Sequence, residues 1–182
     1  MNRSIKRLAL AAVAAALLCV GPASSVASAA SAEWTPQGTM KQQGSIEFRL
    51  NGGSPVTCQI STQGLASSNT FSANIAPSPC SNGKTITLSL IQAGQNEGGA
   101  YSVRLLGNPT WKTAAPWGGY WTQEQFVTVL PFVNGSGSKM STFSFSNTYL
   151  GPWLNPSGPN GKVTATGTIT ATTGTGGLIT LK

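Results

Sequence analysis

The residues with the most chemical character in this chain are aromatic. The stretch "PTWKTAAPWGGYWTQEQF", Pro109 to Phe126, holds Trp111, Trp117, Tyr120 and Trp121, interrupted by Pro116 and the pair Gly118-Gly119. Indole and phenol rings offer large flat apolar faces with one polar handle each, which suits stacking on sugar rings or apolar ligands. The same rings also fill irregular corners of a core, since tryptophan is largely buried on average. These four residues form the candidate ligand-binding site. Trp117, beside the glycine pair and furthest from either flanking strand, is expected to be the exposed ring. Trp111 and Trp121 are expected to be buried plugs.

The inventory for catalysis is thin. The chain has no His and no Asp, so a Ser-His-Asp or Cys-His arrangement and a His-based zinc site are excluded. The carboxylates are Glu33, Glu47, Glu97 and Glu124. Of these only Glu97 and Glu124 could form the pair that glycoside hydrolysis needs. Glu97 sits in a Gly-rich turn and Glu124 at a strand start, where both are expected to face solvent. Four dispersed glutamates also make a poor calcium site. The expectation is a protein without catalytic residues, cofactor or metal.

Positioning of the aromatic stretch falls to strands. "SIEFRL" puts Ile46, Phe48 and Leu50 on one face and Glu47 and Arg49 on the other. "PVTCQI", "KTITLSL" and "AYSVRLL" alternate in the same way. "EQFVTVLPFV" is more continuously apolar, "MSTFSFSNTYL" alternates less cleanly, and "KVTATGTITAT" and "GLITLK" close the chain. Period-two runs rich in β-branched residues are the strand signature. Asn51-Gly52-Gly53, Asn82-Gly83, Gly98-Gly99, Asn134-Gly135 and Asn160-Gly161 separate them with turn chemistry. Eight or more short strands of this kind predict an all-β fold, an antiparallel β-sandwich of Ig-like or jelly-roll-like form. In it the aromatic stretch is an irregular crossover leading into the apolar strand near Gln125. Residues 30–40 read as a loose leader joining a sheet edge.

The first 29 residues stand apart. Arg3, Lys6 and Arg7 precede an apolar run of 13 residues, Leu8 to Val20. Ala27-Ser28-Ala29 fits a small-x-small cleavage pattern, with Ala30-Ser31-Ala32 as a second choice. This is the layout of a secretory signal peptide. The run is shorter than the ~20 residues a spanning helix needs, so no membrane span is expected after cleavage. Residues 30–182 then form a single domain. Two cysteines remain in it, Cys58 and Cys80. An even pair in an exported chain predicts a disulfide.

Eight positive side chains remain against four glutamates, a net charge of +4 for residues 30–182. They are scattered singly, which argues against nucleic acid as a partner. Weak attraction to cell-envelope polymers, carbohydrate binding through the aromatic stretch, and self-association by β-strand addition from the Thr-rich C-terminal strands are the partner expectations.

The signal-type N-terminus, the Cys58–Cys80 pair on a strand-rich chain, "APW" at Ala115–Trp117 and the closing "ATGTITATTGTGGLITL" together resemble small secreted β proteins of the alkane-oxidation-activator type. That resemblance implies a secreted or cell-surface accessory protein and assigns no catalytic residue. The functional expectation is a secreted, non-catalytic structural or accessory protein of the cell surface or extracellular matrix. The alternative is a carbohydrate- or apolar-ligand-binding module.

Overall fold

The computed structural model describes residues 29–75, 77–86, 90–106, 112–122, 127–154 and 159–182; the leader up to Ser28 lies outside the described residues. Every regular element described is a strand. Eight of them build the body: β1 Gly38–Leu50, β2 Val56–Ser67, β3 Thr70–Ile75, β4 Leu90–Glu97, β5 Ala100–Leu106, β6 Val127–Val133, β7 Ser141–Leu154 and β8 Gly161–Thr173. Each pairs antiparallel with the next, and β8 pairs back onto β1 from Val163↔Leu50 to Thr173↔Met40. The sheet therefore closes into an up-and-down barrel of eight strands.

This corrects the expected sandwich. Alternation of apolar and polar residues is the same in both architectures, because each has one buried and one solvated face. What separates them is the pairing of the first strand with the last, which no local pattern encodes. Strand length and close approach carry the closure. β1, β2, β7 and β8 run 13, 12, 14 and 13 residues, twice the usual strand, and long strands must coil. A Cβ at Gly44 would lie 2.2 Å from the Thr168 carbonyl oxygen, and one at Gly64 2.0 Å from that of Ser72. Glycine inside these strands permits the sharp bends that a barrel of this size demands.

The interior is packed. Met40, Phe48, Phe71, Val103, Leu130 and Phe143 point inward and are at most 1% exposed. Among them sits a polar pair. Gln42 Nε2 donates to Gln92 Oε1 at 2.7 Å, and Gln92 Nε2 donates back to Gln42 Oε1 at 3.0 Å, with both residues wholly buried. The reciprocal amide bonds satisfy groups that would otherwise be costly to bury. The outward positions of β8 are Lys162, Thr164, Thr166, Thr168, Thr170 and Thr172, and those of β1 include Lys41, Gln43, Ser45, Glu47 and Arg49. Those two outward faces are polar. Leu65, Val129 and Val133 are exposed and apolar. No described helix is long and apolar enough to cross a membrane.

β7 carries an irregularity that the uneven alternation of "MSTFSFSNTYL" foreshadows. Its register against β8 shifts between Phe145 and Thr148, and Asn147 has left-handed backbone at φ 49°. The bulge leaves amides without ladder partners, and hydroxyls take them up. Ser146 N donates to Thr148 Oγ1 at 3.0 Å and Asn147 N to Thr166 Oγ1 at 3.1 Å.

The two chain ends seal one mouth of the barrel. Trp34–Thr35 pairs with Thr180–Leu181, and Glu33 and Lys182 exchange backbone bonds of 2.8 and 3.0 Å. Trp34, Ile179 and Leu181 are at most 1% exposed, and the Trp34 ring meets Phe132 edge-on at 5.4 Å. Asn134 holds Leu181 by both backbone groups, at 2.8 and 2.7 Å. So "EWTPQGTM" is no loose leader; it splits into a plug at Trp34 and the start of β1. The C-terminal strands are likewise engaged within the chain, β8 along both edges and Thr180–Leu181 against Trp34–Thr35.

Candidate functional site

The opposite mouth carries the aromatic stretch. β5 ends at Leu106 and β6 begins at Val127. Between them Lys112–Ala114 and Tyr120–Thr122 form a short hairpin, which continues onto the end of β7 through Tyr120↔Leu154 and Trp121↔Trp153. Alternating side-chain direction fails here because Pro116 and the glycine pair set the turn. Gly118 and Gly119 have φ 87° and 66°, in the region glycine enters without strain.

Trp153 holds the turn. Its Nε1 donates to the Gly118 carbonyl oxygen at 2.7 Å. A Cβ on Gly119 would stand 3.1 Å from that nitrogen and 2.7 Å from the Leu154 carbonyl oxygen, so this glycine is also required by the close approach of β7. Ala115 and Pro116 are buried, and Ala115 belongs to the core.

The second part of this mouth is the segment between β3 and β4. Ser78–Pro79 pairs with Thr85–Ile86, and Ile86 is fully buried. The predicted disulfide is present, Cys58–Cys80, with the Cα atoms 4.0 Å apart. Cys58 is buried on β2, so the bond ties the segment to the barrel wall. Ser81 reinforces it, donating its amide to the Thr57 carbonyl at 2.8 Å and accepting the Thr57 amide at its Oγ at 3.2 Å. Asn82 then bridges the two parts, its Nδ2 donating to the Pro116 carbonyl at 2.7 Å. A shallow hollow of about 270 Å³ lies against this segment, lined by Thr57, Gln59, Pro79, Cys80 and Ser81. It is at the small end of the size range of ligand pockets.

The candidate residues are placed as follows. Trp117, expected to be the exposed ring, is half-buried and packed against the core. Tyr120 and Trp121 lie on the hairpin strand, where the structure describes their backbone. Trp111 lies outside the described residues, as does Glu124. Glu97 is exposed at the turn after β4. Glu47 pairs with Arg49 at 2.7 Å, and Glu33 accepts from Ser68 Oγ at 3.3 Å. Among the described residues no three His, Cys, Asp or Glu side chains gather as metal ligands.

Three contacts escape the sequence reading: the Trp153–Gly118 bond, the Asn82–Pro116 bond and the Gln42–Gln92 pair. Gln42 leaves a trace in the sequence. In "MKQQGSIEF" it shares parity with Met40 and Ile46, which marks it as inward. The roles of Trp153 and Asn82 depend on contacts across 35 and 34 residues and leave no local pattern. Comparison with known proteins finds no matching family model, no matching curated protein and no matching solved structure.

Proposed function

We propose that the chain is a secreted, non-catalytic structural or accessory protein of the cell surface or extracellular matrix. The observation that supports this reading best is the filled barrel. Eight-stranded barrels are wide enough either to be filled by side chains or to hold one small ligand. Here Met40, Phe48, Phe71, Leu130 and Phe143 occupy the interior. A barrel filled in this way serves as a rigid support for what its surface and mouths carry. Closure also removes the open sheet edges that promote uncontrolled association, a useful property outside the cell. The resemblance to secreted accessory proteins of the alkane-oxidation-activator type points the same way. The test is to delete the gene in its host and fractionate cultures of the parent strain. Recovery of the protein from the surface or matrix fraction, with a surface or matrix defect in the deletion strain, supports the reading. Retention in the cytoplasm overturns it.

One observation favours ligand binding as the second reading. Trp117 and Trp153 are each half-buried at this mouth, and Trp153 bonds the carbonyl of Gly118, the residue after Trp117. Two indoles at a barrel mouth suit a sugar or an apolar chain. Tryptophan emission measured against a panel of polysaccharides and alkanes tests it. A saturable shift that Trp117→Ala abolishes supports binding, and no response from any of them removes it.

A further inference from the structure

The N-terminal leader contains two small-x-small sites, one ending at Ala29 and one at Ala32. The sequence pattern admits either, but the fold treats them differently. We propose that the bond hydrolysed during export is Ala29–Ala30, so that the working chain begins at Ala30. This inference rests on the export reading above.

Residues 30–32 belong to the barrel. Ala30 and Ser31 pair with Asn96 and Gln95. They take up the edge of β4 beyond Ala93, where its pairing with β3 ends. Ala32 is 0% exposed and donates its amide to the Gly94 carbonyl at 3.1 Å. Gly94 gives a second, independent indication. A Cβ there would stand 2.5 Å from the Ala32 carbonyl oxygen and 2.4 Å from Leu181 Cδ2. A glycine in the middle of a strand weakens it, and here it admits the backbone of Ala32.

The two cuts leave different proteins. Hydrolysis adds water across the peptide bond, leaving a carboxylate on one side and an ammonium on the other. Cutting after Ala29 places the ammonium on Ala30, which is exposed. Water then solvates the new charge. Cutting after Ala32 deletes two ladder pairs and a fully buried side chain. It also leaves the Gly94 carbonyl without its donor. The new ammonium would fall on Glu33, whose amide closes the seal to the Lys182 carbonyl.

The test is the intact mass of the protein exported from a secretion-competent bacterial host carrying the full chain. The expected mass is that of residues 30–182. A chain beginning at Glu33 leaves the export reading standing and overturns this proposal. An uncut chain overturns both. As a check on the physical argument, chains made to begin directly at Ala30 and at Glu33 are compared by thermal unfolding. The shorter one is expected to melt at least ~4 °C lower, the scale of one to two lost interactions in a domain of this size. Equal melting temperatures would refute the structural basis of the assignment.

Discussion

The two mouths of the barrel are closed by different means. At one, the chain ends meet in a backbone ladder, with Trp34, Ile179 and Leu181 fully buried beneath it. At the other, short ladders over the buried Ile86 and Ala115 are supplemented by one covalent bond and side-chain bonds to carbonyls: Cys58–Cys80, Asn82 to Pro116 and Trp153 to Gly118. Both arrangements bury apolar side chains and satisfy backbone groups in short ladders. The strands involved are two or three residues long at both mouths, and the second adds a disulfide to loops set between barrel strands. The first seal rests on noncovalent contact between distant chain ends, whereas the second is also held covalently.

The sharpest way to break this comparison is Trp34→Ala. Removing a fully buried indole costs about 3–5 kcal/mol, read from the denaturant midpoint. A loss under ~1 kcal/mol would mean that the terminal seal contributes little, against the range expected for buried aromatics. Next in size is the double change Cys58→Ser and Cys80→Ser. With a sequence separation of 22 residues, the chain-entropy model gives about 3 kcal/mol. Hydrogen exchange should then quicken in residues 77–86 while the amides of Glu33 and Lys182 stay protected. Equal loss of protection at both mouths would show that they are one cooperative unit.

Between the mouths, Gln42→Leu should cost about 1–3 kcal/mol, because it strands the Gln92 amide in the interior. Adding Gln92→Leu should recover most of that, and a double variant as unstable as the single one would show that the pair does more than satisfy itself. The smallest effect is expected from Trp153→Phe, which removes the donor to Gly118. About 1 kcal/mol is the usual net value of such a bond. Its signature is local, a faster amide exchange at Gly118 and Gly119 with little change at the terminal seal.

Much of the local structure was legible in the sequence. The alternating runs around Ile46, Val56 and Val103 lie in strands, Asn51-Gly52 and Gly98-Gly99 are turns, and Cys58 and Cys80 are joined. These follow from steric preferences of a few adjacent residues and from the chemistry of paired thiols. Trp34 was misplaced as part of a loose leader, because a single tryptophan two residues before Pro36 carries no periodicity. Its strand pairs with Leu181, nearly the whole chain away, and its ring packs edge-on against Phe132. For the candidate site, the turn at Pro116 and Gly118-Gly119 was readable. The half-burial of Trp117 was not, since it depends on packing against the core of the closed barrel.

What the sequence by itself determined is therefore the strand content, the turn positions, the inward and outward faces and the disulfide. Each depends on residue type and short spacing. Only the tertiary structure decided that β8 pairs with β1, that the termini close one mouth, and that the aromatic hairpin is held by Trp153 and Asn82 at the other. Period-two alternation is indifferent to whether a sheet folds onto a second sheet or onto its own far edge. Closure instead depends on register and coiling summed over eight strands, with glycines at Gly44 and Gly64 admitting the bends. Those quantities exist only once the whole chain has folded.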